Sequence, residues 1–264
     1  MRRLVVALAM VGVALSGRPA GAELTYVGSS TIGEHLVPAA AAVFAARTGV
    51  RFGAVQLQGS GKGLAMVTRG EAPLAGVSRA LTPAERQEGL YYRIVGYDAV
   101  TVVVHRDNPV GSLTLAQLRD IYTGRITSWK GVGGASTPIV LITQVWGAGR
   151  AQMIEFQAHV LGGAAYRADR KEVDTQRDQG VALLGERYGI AAVSTAFLAP
   201  GVKIVTIDGY SPEPPHVRSG AYVLSRPLLL VAPRRPHPDV KRFIEFVLSA
   251  EGQAIVGRRF VTVQ

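Results

Sequence analysis

The chain of 264 residues contains no cysteine. Disulfide bonds, thiolate metal ligands and a cysteine nucleophile are therefore excluded, and the apolar core alone must stabilise the fold. An amino-terminal lipid anchor needs a cysteine thiol, so we also expect the protein to carry no such anchor.

Sequence signals of catalysis and of nucleotide binding are also absent. The sequence has no Gly-x-Ser-x-Gly nucleophile elbow, and its acidic residues form no obvious pair for general acid–base work. Lys62 is followed by Gly63, where a nucleotide-binding P-loop requires serine or threonine. We predict no enzyme activity, no metal site and no cofactor, and we expect five dispersed histidines to be surface or packing residues: His35, His105, His159, His216 and His237.

Acidic residues are outnumbered by basic ones, 19 against 29, which gives a net charge of +10. Arg2, Arg3 and Arg18 lie in a segment that we expect to be cleaved, and removing them leaves 26 basic residues and a charge of +7. A basic surface favours an anionic partner such as nucleic acid, anionic lipid or a small anion. No run of lysine and arginine is interleaved with aromatic residues, so the sequence does not support nucleic-acid binding.

The amino terminus has a hydrophobic run that is too short to span a membrane. Arg2 and Arg3 precede an apolar stretch at positions 4–15, and the small residues at 20–22 follow a Gly/Pro break. A basic head, a short apolar core and a small-residue exit are typical of a secretory signal peptide, whereas a bilayer span needs about 20 apolar residues. We therefore predict that residues 1–22 are removed and that the protein is periplasmic.

Short apolar runs alternate with amphipathic stretches, a pattern typical of an α/β protein with parallel strands. The first three predicted strands, at 24–27, 50–57 and 74–77, each end in a polar turn that opens a helix. In parallel sheets the carboxyl ends of the strands share one edge, and ligands bind in the crevice there. Helix amino termini facing that crevice offer unpaired N–H groups and partial positive charge, which suit an anion.

The rest of the chain continues this alternation. Pro227 interrupts one strand and indicates an edge or crossover segment, and the spacing of Val240, Phe243, Ile244 and Val247 predicts a docking helix. The predicted helices are 32–48, 64–69, 113–122, 151–161, 180–184 and 239–256, and the later strands are 100–104, 139–142, 190–193 and 222–231.

The short turns after the strands are rich in hydroxyl groups and glycine. Hydroxyls and backbone N–H groups donate to a tetrahedral oxyanion, and an arginine adds a bidentate partner. The alternative interpretation is that these residues are ordinary helix caps and loop residues. Four such turns at strand–helix junctions leave both interpretations open.

Segments along nearly the whole mature chain resemble the periplasmic phosphate-binding proteins of ABC phosphate-uptake systems, specifically their shorter branch. Four segments carry the resemblance in the expected order: 26–32 (Tyr-Val-Gly-Ser-Ser-Thr-Ile), 58–63 (Gln-Gly-Ser-Gly-Lys-Gly), 76–81 (Gly-Val-Ser-Arg-Ala-Leu), and Gly149-Arg150 with Phe156. Positions 98–109 look like the family's crossover strand, 121–130 like its helix-end motif, 224–228 like its return strand and 243–252 like its terminal helix.

The resemblance implies the α/β fold of a type II periplasmic binding protein, with two α/β lobes joined by two crossover strands. Lobe 1 is expected to comprise residues 23–103 and 223–264, and lobe 2 residues 104–222, with the ligand cleft between them. A hinge motion then closes the lobes over the anion. The implied function is capture of inorganic phosphate, or a similar oxyanion, by a monomer that delivers it to the ABC transporter permease in the inner membrane.

The same resemblance implies which residues bind the anion. The turns after the first three strands and the start of a helix in the middle lobe supply the ligands: Ser30, Thr31, Ser60, Gly61, Ser78, Gly149, Arg150 and Ala151.

Two positions depart from the family pattern. Arg79 stands where the better-known phosphate binders place an aspartate that accepts the proton of hydrogen phosphate. Arg79 is either a ligand or the partner of a buried carboxylate, and we expect a ligand. Gln152 stands where threonine is usual, and we expect its amide to donate to the anion.

Three alternatives to phosphate capture stay open. Without an acidic acceptor to reject it, sulfate is an alternative ligand, as is molybdate. A phosphate sensor or surface-interaction protein is a second alternative, since it could keep the fold without transport. A secreted phosphatase is the third, although the missing nucleophile and metal motifs argue against it.

Overall fold

The computed structural model describes residues 23–146 and 151–263. The predicted signal peptide, 1–22, and two predicted anion ligands, Gly149 and Arg150, lie outside the described residues. Within the described part of the chain, no helix has the length and apolarity that a membrane span requires.

The strands of the described residues form one curved mixed sheet in the order β2-β1-β3-β10-β4-β8-β6-β7, with β9 paired to β4 and β5. The strands are β1 Leu24–Gly28, β2 Phe52–Gln56, β3 Ala75–Val77, β4 Tyr91–His105, β5 Ser112–Leu113, β6 Val140–Gln144, β7 Lys171–Val173, β8 Gly189–Ser194, β9 Val202–Ile207 and β10 Ser225–Ala232. The parallel β2-β1-β3 and β8-β6-β7 groups confirm the predicted α/β class.

Strand β4 connects the two halves of the sheet. Its first part, 91–99, pairs with β10, and its second part, 100–105, pairs with β8 and β9. Sequence patterning predicted only the second part, because Arg93, Gly96 and Asp98 interrupt the apolar residues of the first part. The change of partner falls between Ala99 and Val100. The lobe boundaries given above stay a prediction.

Pro227 lies in β10, which has strands on both sides over only part of its length. Residues 229–231 pair with β3, whereas 225–228 pair only with β4. The missing N–H of Pro227 therefore interrupts no ladder, as expected for a crossover segment.

Two helices that the sequence predicts as continuous are each broken in two. Pro38 occupies the first turn of α2, where its missing N–H is tolerated, and the preceding helix ends at His35. Ser249 has extended backbone angles and caps α10. The helices are α1 Ser30–His35, α2 Val37–Thr48, α3 Ser60–Thr68, α4 Pro83–Gln87, α5 Leu115–Thr123, α6 Ala151–His159, α7 Gln176–Leu184, α8 Pro214–Ser219, α9 Pro238–Leu248 and α10 Ala250–Val256.

Two large apolar clusters pack against the two parts of β4. One surrounds Val95 and includes Phe44 and Phe243, and the other surrounds Val102 and includes Tyr122. The predicted docking helix is confirmed, because all four of its spaced apolar residues are fully buried. Each wall of the site described below therefore rests on a packed core of its own.

Candidate functional site

A polar cavity of about 310 Å³ opens where the carboxyl ends of β1, β3 and β6 face the amino termini of α1, α3, α6 and α7. Hydroxyls, amides and two basic side chains line it, and no carboxylate does so among the described residues. The lining residues are Ser29, Ser30, Thr31, Leu57, Gln58, Gly59, Ser60, Lys62, Ser78, Gln144, Ala151, Gln152, Gln176 and Arg226.

The first corner of the cavity joins β1 to α1. Gly28 has φ +128°, and a Cβ on it would lie 2.4 Å from the Gly76 carbonyl oxygen, so only glycine fits there. The Tyr26 hydroxyl donates to the Ser29 carbonyl at 2.7 Å, and the Ser29 hydroxyl caps α1 by accepting from the Ile32 N–H. This corner presents Ser30 and Thr31 to the cavity.

The second corner, at the start of α3, is joined to the third at the end of β3. The Ser60 hydroxyl oxygen accepts from the Ser78 N–H at 3.1 Å and lies 3.4 Å from the Ser78 hydroxyl. Both serines are buried and line the cavity. The predicted ligand Gly61 is not among the residues that line it, and a Cβ built on Gly61 would meet no atom within 4 Å.

The opposite wall of the cavity consists largely of glutamines. Gln152 was expected to donate its amide to the anion, but its Nε2 donates to the Ala192 carbonyl at 2.6 Å. Gln176 is oriented the other way, because its Oε1 accepts from the Ser194 N–H at 2.7 Å, and its NH₂ group has no acceptor among the described residues. Ala151 begins α6 and lines the cavity beside them.

Arg226 supplies a buried cation that the sequence analysis did not assign. Its Nε and Nη2 donate to Asp98 Oδ2 at 3.0 and 2.8 Å, and Nη2 also donates to the Thr31 hydroxyl at 3.3 Å. The Arg226 and Asp98 side chains are 2 % and 0 % exposed. One sequence signal was available, since a charged residue inside an apolar strand needs a buried partner.

Arg79 is not among the residues that line the cavity. Its guanidinium donates to both Glu85 carboxylate oxygens at 2.7 and 2.6 Å and to the Ala80 carbonyl at 2.9 Å. The Arg79 hydrogen bond lowers the pKa of the Glu85 carboxyl, and the Glu85 bond raises the pKa of the arginine. The expectation that Arg79 is a ligand is therefore replaced by the alternative, a carboxylate partner.

Six of the predicted ligands thus lie together around the cavity: Ser30, Thr31, Ser60, Ser78, Ala151 and Gln152. The other wall residues with polar or charged side chains were not predicted from the sequence: Ser29, Gln58, Lys62, Gln144, Gln176 and Arg226. The described residues contain no group of three His, Asp or Glu side chains that could hold a metal ion.

Comparison with known proteins gives a consistent result. A family model described as a PBP superfamily domain matches residues 14–251. A phosphate-binding protein PstS of Staphylococcus epidermidis is 30 % identical over 217 residues, which are 74 % of this chain and 65 % of that protein. The PstS of Bacillus subtilis is 30 % identical over 210 residues, which are 77 % of this chain and 67 % of that protein. The chain thus spans about two thirds of the length of these relatives.

Two solved structures share the fold along their whole length. One is a putative phosphate ABC transporter substrate-binding protein with bound phosphate from Clostridium perfringens, with a TM-score of 0.82 and 30 % identity, covering 92 % of this chain and 100 % of that one. The other is an ABC-type phosphate transport receptor from Vibrio cholerae, with a TM-score of 0.80 and 25 % identity, covering 91 % and 100 %.

Proposed function

Because the chain belongs to the PBP superfamily and to its phosphate-binding proteins, we propose that it captures inorganic phosphate outside the cytoplasm for an ABC importer. The observation that carries the proposal is the cavity, which gathers hydroxyls and helix-start N–H groups around one buried arginine. Its volume lies at the low end for ligand sites, which suits a small solute.

The lining chemistry fits an oxyanion better than a neutral solute. The Arg226 guanidinium, the Gln176 NH₂ group and the first-turn N–H groups of α1 and α3 are all donors. Asp98 neutralises much of the Arg226 charge, so Lys62 supplies the remaining positive charge among the described lining residues. We propose Ser30, Thr31, Ser60, Ser78 and the Ala151 N–H as ligands, together with Arg226; Gly149 and Arg150 stay predicted ligands.

The protein acts as a receptor and not as an enzyme, in keeping with its family and relatives. We infer that residues 1–22 direct export, that the mature protein is periplasmic without a lipid anchor, and that it delivers its ligand to a permease in the inner membrane. The basic head and short apolar run at the amino terminus support this inference.

Isothermal titration of residues 23–264 with phosphate, arsenate, sulfate and molybdate tests the proposed function. We expect one saturable phosphate site per chain, with arsenate bound at the same site and no hydrolysis of a generic phosphate ester. If sulfate binds as tightly as phosphate, the site is one for oxyanions in general and not for phosphate in particular. If none of the four anions binds, the proposed function is refuted.

A further inference from the structure

A continuous chain of hydrogen bonds joins the two walls of the cavity. The Thr31 hydroxyl accepts from Arg226, and Arg226 donates twice to Asp98. The other carboxylate oxygen of Asp98 accepts from the Ser194 hydroxyl at 2.6 Å, and the Ser194 N–H donates to the Gln176 amide oxygen at 2.7 Å. Thr31 and Gln176, the two ends of this chain, both line the cavity.

The middle of this chain lies where β4 changes partners. Asp98 is opposite Arg226 in the β4–β10 ladder, and Ser194 is opposite Val100 in the β4–β8 ladder. Asp98 therefore contacts one residue from each half of the sheet through two different carboxylate oxygens.

Because the hydrogen-bonded side chains of Asp98 and Ser194 are buried, they keep their partners within the protein. Asp98 and Ser194 are both 0 % exposed, so neither side chain has water as an alternative partner. A buried ion pair by itself is weak evidence for stability, because desolvation offsets the attraction between the charges. A role in orientation explains the pair better, since a carboxylate bound to Nε and Nη2 fixes the plane of the guanidinium.

The orientation leaves one end of the guanidinium available. Arginine has five N–H donors, and the structure gives Arg226 acceptors only at Nε and Nη2 among the described residues. Arg226 lines the cavity although it is nearly buried. Nη1 has no acceptor among the described residues, so it is free to donate to an anion while Asp98 fixes the plane of the guanidinium.

We propose that Asp98 is the positioning residue of the anion site. It orients Arg226 from one wall and, through Ser194, holds that arginine in register with Gln176 on the other wall, so that both donate to the same oxyanion. This inference rests on the proposed function, because the network is argued to act on the affinity for the anion.

Phosphate titrations of three single variants test the proposal. Ser194→Ala removes the bond to Asp98 between the walls and the bond that the Ser194 hydroxyl accepts from the Ala196 N–H, and we expect the Kd for phosphate to rise about three- to tenfold. Asp98→Asn leaves the guanidinium without its carboxylate, and we expect a rise above about thirtyfold. The control is Glu71→Gln, which makes the same chemical change beside Arg69 at an exposed ion pair and leaves the Kd within about twofold.

Making Ser194→Ala in a variant that lacks the buried ion pair separates an effect on the position of Arg226 from a general effect on the fold. Replacing the buried pair by apolar residues, Asp98→Leu with Arg226→Met, is expected to give a folded protein that binds phosphate weakly. Adding Ser194→Ala there should change the Kd less than about twofold, because the arginine it helps to position is gone. An equal loss in both backgrounds would mean that Ser194 supports only the fold, and would overturn the proposal.

The outcomes remain distinct if one variant fails to fold. Circular dichroism identifies folded variants, and an unchanged Kd in folded Ser194→Ala overturns the proposal whatever happens to Asp98→Asn. If the unmodified protein binds none of the four oxyanions, the proposed function itself fails. If it binds phosphate while the variants match it, only the positioning role is lost.

Discussion

At the scale of single residues, Glu85 satisfies two groups at once near the start of α4. Its carboxylate accepts from the Thr82 N–H at 2.8 Å, which completes a capping box, and it accepts from both terminal nitrogens of Arg79. An arginine held in this bidentate way loses that partner if it turns toward an anion. We therefore expect Arg79 to stabilise a helix start and not to bind the ligand.

Arg79→Gln should separate stability from binding. We expect the free energy of unfolding to fall by about 1 kcal/mol, because a charge-assisted bond at a partly buried site is lost. The Kd for phosphate should stay within about twofold, since Arg79 does not line the cavity. Urea unfolding and isothermal titration measure the two effects, with Arg69→Gln as the exposed control; a tenfold loss of affinity would make Arg79 a ligand after all.

The Arg79–Glu85 pair should also make the stability of the protein depend on pH. Because the Arg79 hydrogen bond lowers the pKa of Glu85 in the folded state, the pair stabilises the protein fully above the unfolded carboxyl pKa, about 4.3. That contribution is lost as the pH falls through the lower, folded pKa. The stability difference between the unmodified protein and Arg79→Gln should therefore shrink below about pH 4.

Local chemistry explains which site residues the sequence could reveal. Ser30, Thr31, Ser60 and Ser78 follow strand ends directly, so turn composition and family resemblance both point to them. Asp98 and Arg226 are 128 positions apart, and their pairing depends on the register of β4 against β10. No spacing rule gives that register, so their joint role becomes visible only in the fold.

At the scale of elements, the strand-to-helix corners depend on close backbone approach. A Cβ on Gly63 of α3 would lie 2.6 Å from the Gly28 Cα, and a Cβ on Gly28 would collide with the Gly76 carbonyl. These contacts bring the first turns of α1 and α3 together at the cavity. The glycines of the corners are therefore required for packing as well as for turn geometry.

Gly28→Ala should destabilise the protein by about 3 kcal/mol or more, because the side chain meets backbone atoms and φ is positive. The matched control is Gly49→Ala at the end of α2, where φ is +74° and no atom lies within 4 Å of the added carbon. Only the cost of a left-handed backbone, about 1–2 kcal/mol, is expected there. Equal losses in urea unfolding would contradict the close-approach argument.

Element boundaries were less predictable than element types. Apolar periodicity runs unbroken through positions 32–48 and 239–256, so it predicted one helix in each. The breaks come from Pro38, which cannot continue a helix, and from Ser249, which uses its hydroxyl to cap α10. These local effects interrupt the helix without changing which face is buried.

At the scale of the whole molecule, the site draws groups from both halves of the sheet. Ser30, Thr31 and Ser60 belong to elements around β1 and β3, whereas Ala151 and Gln176 belong to elements around β6 and β8. Strands β4 and β10 pair over eight registered positions next to the network at Asp98. An anion bound between the walls is therefore expected to stabilise both halves together.

Calorimetry of residues 23–264 tests this coupling. Phosphate at a hundred times its Kd should add about 2.7 kcal/mol to the free energy of unfolding, which corresponds to a rise of about 5–10 °C in a single transition. The variant carrying Asp98→Leu and Arg226→Met should show a much smaller rise at the same phosphate concentration, because the buried donor is missing. Two transitions, of which phosphate moves only one, would mean that one half of the molecule holds the anion alone.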